Sequence, residues 1–128
     1  MKTNTEATRQ LVNEYFAYAQ HHSWEEVIEK YIEDDHLKGH IILFEAGLPG
    51  YKLIPKDDII VEGNRACVRF QLEAKHEGEL FGVKPTGNKV SIEGIIIYEV
   101  KNGKIVNHWM QADSVGLMQQ IGAMQEAG

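Results

Sequence analysis

The 128-residue chain is short of several things, and each shortage excludes a class of protein. A single cysteine, Cys67, rules out an internal disulfide and a multi-cysteine zinc site. Lysine and arginine number 13 against 19 acidic residues, with no basic run, so the clustered cations that nucleic-acid phosphates demand are missing. No apolar run approaches the roughly 20 residues of a membrane-spanning helix, so no membrane partner is expected. The opening MKTNTEATRQ has no apolar signal-peptide core, which predicts a cytoplasmic protein. No repeat, low-complexity tract or linker divides the chain. What remains is ordinary: 43% apolar residues, 25% charged residues and a formal net charge of −6. That balance and length suit one globular domain over residues 1–128, burying about two-thirds of the surface its unfolded chain exposes.

The first third is helical in pattern. Ala7, Leu11, Val12, Tyr15, Phe16 and Ala19 recur at helical spacing behind a cap at Asn4 or Thr5. Ser23 and Glu26 have the spacing of a capping box, ahead of a stripe of Trp24, Val27, Ile28 and Tyr31. A third short helix is expected over residues 37–46, ending at GLPG. From Tyr51 onward the period changes to two. In RACVRFQLEAKHE, Ala66, Val68, Phe70, Leu72, Ala74 and His76 face one side, while Arg65, Cys67, Arg69, Gln71, Glu73 and Lys75 face the other. KPTGN reads as a turn, and the runs NKVSIEGIIIYEV and KIVNHWMQA meet across the hairpin KNGK. A short helix follows Asp113. Helices first and an antiparallel meander afterwards predict an α+β domain, with the helices closing one face of the sheet.

The hairpin register decides where His108 points. A two-residue Asn-Gly loop pairs Lys101 with Lys104 and sets His108 beside Ile95 and Ile97. A three-residue loop with a Gly bulge shifts the pairing by one and sets it beside Ile96 and Tyr98. Face polarity favours the second: Ile92, Gly94, Ile96 and Tyr98 match Val106, His108, Met110 and Ala112. His108 is therefore expected on the inner face. Ile95, Ile97, Ile105 and Trp109 are left outside, an apolar area that suits a homodimer interface.

Three stretches, HEGELFGVKPTGNKV, NGKIVNHWMQAD and GLMQQIG, resemble the SnoaL-like family of polyketide and ester cyclase relatives among the nuclear-transport-factor-like cone folds. His76, Gly78, Gly82, Pro85, Thr86 and Gly87 match its first block. Gly103, Lys104, Ile105, His108, Trp109 and Asp113 match the second, and Gly116, Leu117, Gln120 and Gly122 the third. The resemblance implies a curved sheet forming a cone-shaped half-barrel around a mostly apolar cavity, closed by N-terminal helices and followed by a short C-terminal helix. It also implies cofactor-free acid/base chemistry, an intramolecular aldol ring closure in the best-understood cyclases. In those enzymes the main acid/base aspartate aligns two positions after His108, where this chain has Met110, and a neighbouring pocket histidine aligns with Ile96. Neither Met nor Ile can transfer a proton, so that role must pass to other side chains.

The catalytic candidates are His108 and His76, imidazoles on inward-facing strand patterns whose ordinary pKa suits a base near neutrality, assisted by Asp35 or Asp113. Asp113 has a competing role as a helix cap. Expected ligand-binding residues are His40, Tyr98, Met110, Ile96, Phe70, Leu72 and Trp24, with the alternative that the aromatics are plain core. His36 and His40 stand at the i, i+4 spacing of metal ligands on a helix, but Gly39 weakens that helix and no third ligand is specified, so neither a metal nor a cofactor is expected. The leading expectation is a pocket enzyme of cyclase or isomerase type acting on a small hydrophobic carbonyl compound. The rival expectations are a non-catalytic binder of a small hydrophobic molecule and a dimeric interaction module using the outer sheet face.

Overall fold

The computed structural model describes residues 3–57 and 59–123. Helix α1, Asn4–Ala19, is capped by Thr3, whose hydroxyl accepts from the Glu6 N–H at 3.1 Å. Helix α2, Trp24–Tyr31, begins with the predicted capping box, Ser23 and Glu26 bonding reciprocally. Helix α3, Asp35–Gly47, starts two residues earlier than expected because Asp34 serves as its cap, accepting from the Leu37 N–H at 3.0 Å. It runs unbroken through Gly39.

Among the described residues, five strands follow: β1 (Lys52–Pro55), β2 (Ile60–Glu62), β3 (Arg65–Lys75), β4 (Lys89–Lys101) and β5 (Lys104–Ala112). All pair antiparallel in the order β1-β3-β4-β5. Strand β2 also pairs with β3, so β1 and β2 form two pieces of one edge. The sheet curves without closing. Helix α4, Ser114–Gln120, follows a cap at Asp113, whose Oδ1 accepts from the Gly116 N–H at 2.8 Å. The result is the expected α+β half-barrel.

The core lies between the helices and the concave face. Val12, Tyr15 and Phe16 of α1, Trp24 and Val27 of α2, and Leu37 and Ile41 of α3 are buried against Ala66, Val68, Phe70 and Leu72 of β3 and Val90, Ile92, Ile96 and Tyr98 of β4. The alternation read from β3 holds along its length. On the convex face, Arg65 pairs across strands with Glu99, and Arg69 of β3 meets Asp57 in the segment after β1. Among the described residues, no helix is long and apolar enough to cross a membrane.

The β4–β5 hairpin corrects one expectation and keeps its consequence. The loop is the two-residue Asn102-Gly103 turn, both residues at positive φ, with Lys101 paired to Lys104. A bulge then intervenes: Val100 pairs with Ile105 and Glu99 with Asn107, leaving Val106 as the extra residue. Beyond it, Tyr98 faces His108 and Ile96 faces Met110, as the face polarity required. The same bulge turns Ile105 inward, where it is fully buried rather than on the outer face.

Candidate active site

The chain leaving α2 is stitched to the start of β5. Ile32 forms a parallel bridge with Ile105, and the N–H groups of Glu33 and Asp34 both donate to the Ile105 carbonyl, at 2.9 and 3.2 Å. This fixes Asp34 three residues from His108 along the edge strand. One carboxylate oxygen of Asp34 caps α3, and the other accepts from His108 Nδ1 at 2.6 Å. Both side chains are nearly sealed from solvent, at 4% exposure for His108 and 8% for Asp34. Burial works to raise the Asp34 pKa, but the bonds from His108 and the Leu37 N–H outweigh it and hold the carboxyl below its ordinary value. An ionised Asp34 holds a proton on His108 Nδ1, so the neutral form of the ring carries its free lone pair on Nε2.

Two more imidazoles stand on the adjoining face of α3. His36 and His40 are one helical turn apart, with ring centroids 4.7 Å from each other and 5.4 and 5.9 Å from that of His108. His40 has its pKa lowered, first by burial and then by repulsion from His36 and His108, with Asp34 opposing. These histidines border a cavity of about 630 Å3, within the roughly 300–1,000 Å3 of small-molecule sites. Its other walls include Phe44, Ile92, Met110, Ala112, Leu117 and Met118, and Phe81 and Trp109 stand at its rim. Among the described residues, no Lys, Arg, Asp or Glu lines it. A smaller apolar void of about 50 Å3 continues inward past His40, Phe44, Met110 and Ala112 to Phe70, Leu72, Ile96 and Tyr98.

The other expected site residues are placed as follows. His40 and Met110 border both spaces, while Ile96, Tyr98, Phe70 and Leu72 wall only the inner void. Trp24 stacks on Tyr51 and donates its indole N–H to the Tyr51 carbonyl at 2.8 Å, behind these walls rather than on them. His76 is buried away from the cavity, its Nδ1 accepting from the Thr86 N–H at 3.2 Å with the Thr86 hydroxyl at 2.9 Å. Asp113 is occupied as the α4 cap. Asp35 is 95% exposed and pairs with Lys38 at 3.4 Å.

The structure sets Asp34, rather than the expected Asp35, against His108, and it adds His36 to the cavity wall. The signal was present. Leu37 and Ile41 are the buried side chains in the first two turns of α3, and Asp34, three before Leu37, lies on their side of the helix while Asp35 does not.

A family model of the SnoaL-like polyketide cyclases matches residues 4–121. The chain belongs to this family. Among solved structures it resembles AclR of Streptomyces galilaeus, at 22% identity over 97% of this chain and 86% of that one, with a TM-score of 0.80. A SnoaL-like protein of Jannaschia sp. CCS1 superposes with a TM-score of 0.79, at 15% identity over 98% of both chains. TsrD of Streptomyces laurentii gives 0.76, at 21% identity over 92% of this chain and 96% of that one. Identities this low establish a shared SnoaL-like fold and nothing about chemistry. A comparison with curated proteins gives no match. Within the SnoaL-like frame, Met110 and Ile96 are cross-strand partners with apolar side chains on the cavity side. The polar groups of this member are gathered instead at Asp34, His36, His40 and His108.

Proposed function

We propose that this SnoaL-like protein is a cofactor-independent acid/base enzyme of cyclase or isomerase type, acting on a small hydrophobic carbonyl compound held in the cavity. The carrying observation is the 2.6 Å contact between His108 Nδ1 and Asp34 at the head of a largely apolar chamber. In this reading Nε2 of His108 removes a proton from carbon next to the carbonyl. His40, half-buried beside it, hydrogen-bonds the carbonyl oxygen and the enolate that forms. The apolar walls keep water from the enolate until ring closure or reprotonation. Asp34 stays ionised throughout and holds the imidazole in the required tautomer.

The test is a ligand-dependent melting screen with polycyclic aromatic ketones, sterols and small keto-acids, with product analysis on each hit for wild type and His108→Ala. A ligand at a hundred times its dissociation constant stabilises by about 2.7 kcal/mol, a readable shift. Conversion by wild type that is lost in the variant supports the proposal. A ligand returned intact favours the second reading, a non-catalytic binder, which the apolar Met110–Ile96 pair supports. The convex face carries a separate part of the proposal: Ile95 and Trp109, 45% and 43% exposed, form an apolar patch suited to a second copy of the chain.

A further inference from the structure

The i, i+4 pair of His36 and His40 lacks a third ligand in the sequence, and the fold supplies one. One ring nitrogen from each of His36, His40 and His108 lies within 4.8 Å of the other two. Two features of the helix make the pair usable. Helix α3 is continuous through Gly39, so the two side chains stand one above the other on one face. Its first turn is pinned by the Asp34 cap, which limits fraying at His36.

We propose that His36, His40 and His108 form a binding site for a divalent transition-metal ion of the Zn2+ type, with Asp34 as its outer-shell support. A ligating histidine is characteristically held by a carboxylate on its other ring nitrogen, and Asp34 bonds His108 Nδ1 in that way. Nε2 of His108 is then the ligand atom. Imidazole–zinc bonds of about 2.0–2.1 Å put the nitrogens of a tetrahedral site about 3.3 Å apart, so the widest pair must close by about 1.5 Å. Rotation of the exposed His36 and half-buried His40 side chains supplies that movement. Three neutral nitrogens with no carboxylate among them select Zn2+, Co2+, Ni2+ or Cu2+ over Mg2+ and Ca2+. Among the described residues, no Lys or Arg lines the cavity to repel a cation, and the remaining coordination position opens toward its apolar walls.

This inference goes beyond the acid/base reading and shares with it His40 and the orientation of His108 by Asp34. An ion on Nε2 takes the lone pair that the base requires, so metal-loaded and metal-free protein are two states of one site. Each fails separately: metal binding can be absent while turnover depends on His108, and the reverse.

The experiment is titration of metal-free, full-length protein with Zn2+ and Co2+, followed by calorimetry and by the visible absorption of tetrahedral Co2+. Wild type should take up one equivalent. His36→Ala and His40→Ala, both tolerant positions on a partly exposed face, should each weaken binding by about 100-fold or more and abolish the Co2+ spectrum. Asp34→Asn should weaken it about 10–100-fold. The double variant His21→Ala, His22→Ala, at the other adjacent histidine pair, should bind like wild type. Absence of a one-equivalent site, wild-type affinity in His36→Ala or in His40→Ala, or loss of binding in the His21, His22 variant would overturn the proposal.

Discussion

Asp34 and His108, 74 positions apart in sequence, meet through a 2.6 Å hydrogen bond that ends a helix cap at one side and orients an imidazole at the other. The two roles can be separated by substitution. Asparagine caps a helix about as well as aspartate, so Asp34→Asn should keep α3. Its amide nitrogen, however, would face His108 Nδ1 and drive the ring proton to Nε2, removing the base. We expect turnover to fall roughly 10²–10⁴-fold, as for His108→Ala, with little change in melting temperature. Steady-state kinetics beside thermal melting checks both halves.

Neighbouring aspartates should behave differently. Asp34→Ala removes the cap and leaves a buried imidazole N–H without its acceptor, a combined loss of about 2–4 kcal/mol. Asp35→Ala removes only an exposed contact to Lys38 and should change stability by less than about 0.5 kcal/mol. Urea denaturation of the two variants measures the contrast. Equal losses would show that the cap and the buried bond have been misassigned.

His76 should matter for folding rather than for chemistry. It is fully buried, and its Nδ1 ties down the loop that carries Thr86. His76→Ala opens a cavity and frees those bonds, for a loss of about 2–4 kcal/mol. Below its lowered melting temperature the variant should bind pocket ligands with wild-type affinity. A selective loss of turnover in stable His76→Ala protein would return this residue to the active site.

Much of the architecture was legible because its determinants are local. The capping box at Ser23 and the alternation of β3 are written within a few residues of where they act. The inward face of β5 was also readable, since only one pairing matched polar to polar and apolar to apolar. What failed needed information from elsewhere. Asn102-Gly103 is compatible with either hairpin loop, and the bulge at Val106 is decided by the packing that buries Ile105. Asp34 and Asp35 differ by one step of helical phase, which the buried Leu37 and Ile41 resolve. The three-histidine cluster was invisible because β5 brings its third member to α3 from 68 residues beyond His40.

Alkaline stability should report on the core. Burial, first among the causes, pushes the Tyr15 phenol up to about 12, and it raises Tyr51 and Tyr98 well above their ordinary value. The unfolded chain releases these protons near pH 10, while the folded chain keeps them. Between about pH 10 and 12 the unfolded state therefore binds fewer protons, and stability falls as pH rises. Tyr15 alone accounts for roughly 3 kcal/mol across that window. Melting curves from pH 9 to 12 should show the decline in wild type and a shallower one in Tyr15→Phe.

The convex patch gives a separate prediction. Ile95→Asp should leave the cavity untouched and shift a dimer to monomer in sedimentation velocity. Identical sedimentation of wild type and variant would remove the outer-face interface from the account.

The account rests on an imidazole aimed by a carboxylate, and nitrogen-detected NMR of His108 in metal-free protein tests it most directly. The predicted spectrum of the neutral ring has the proton on Nδ1 and none on Nε2, reversing in Asp34→Asn. A wild-type His108 protonated on Nε2, or a tautomer indifferent to Asp34→Asn, would contradict it.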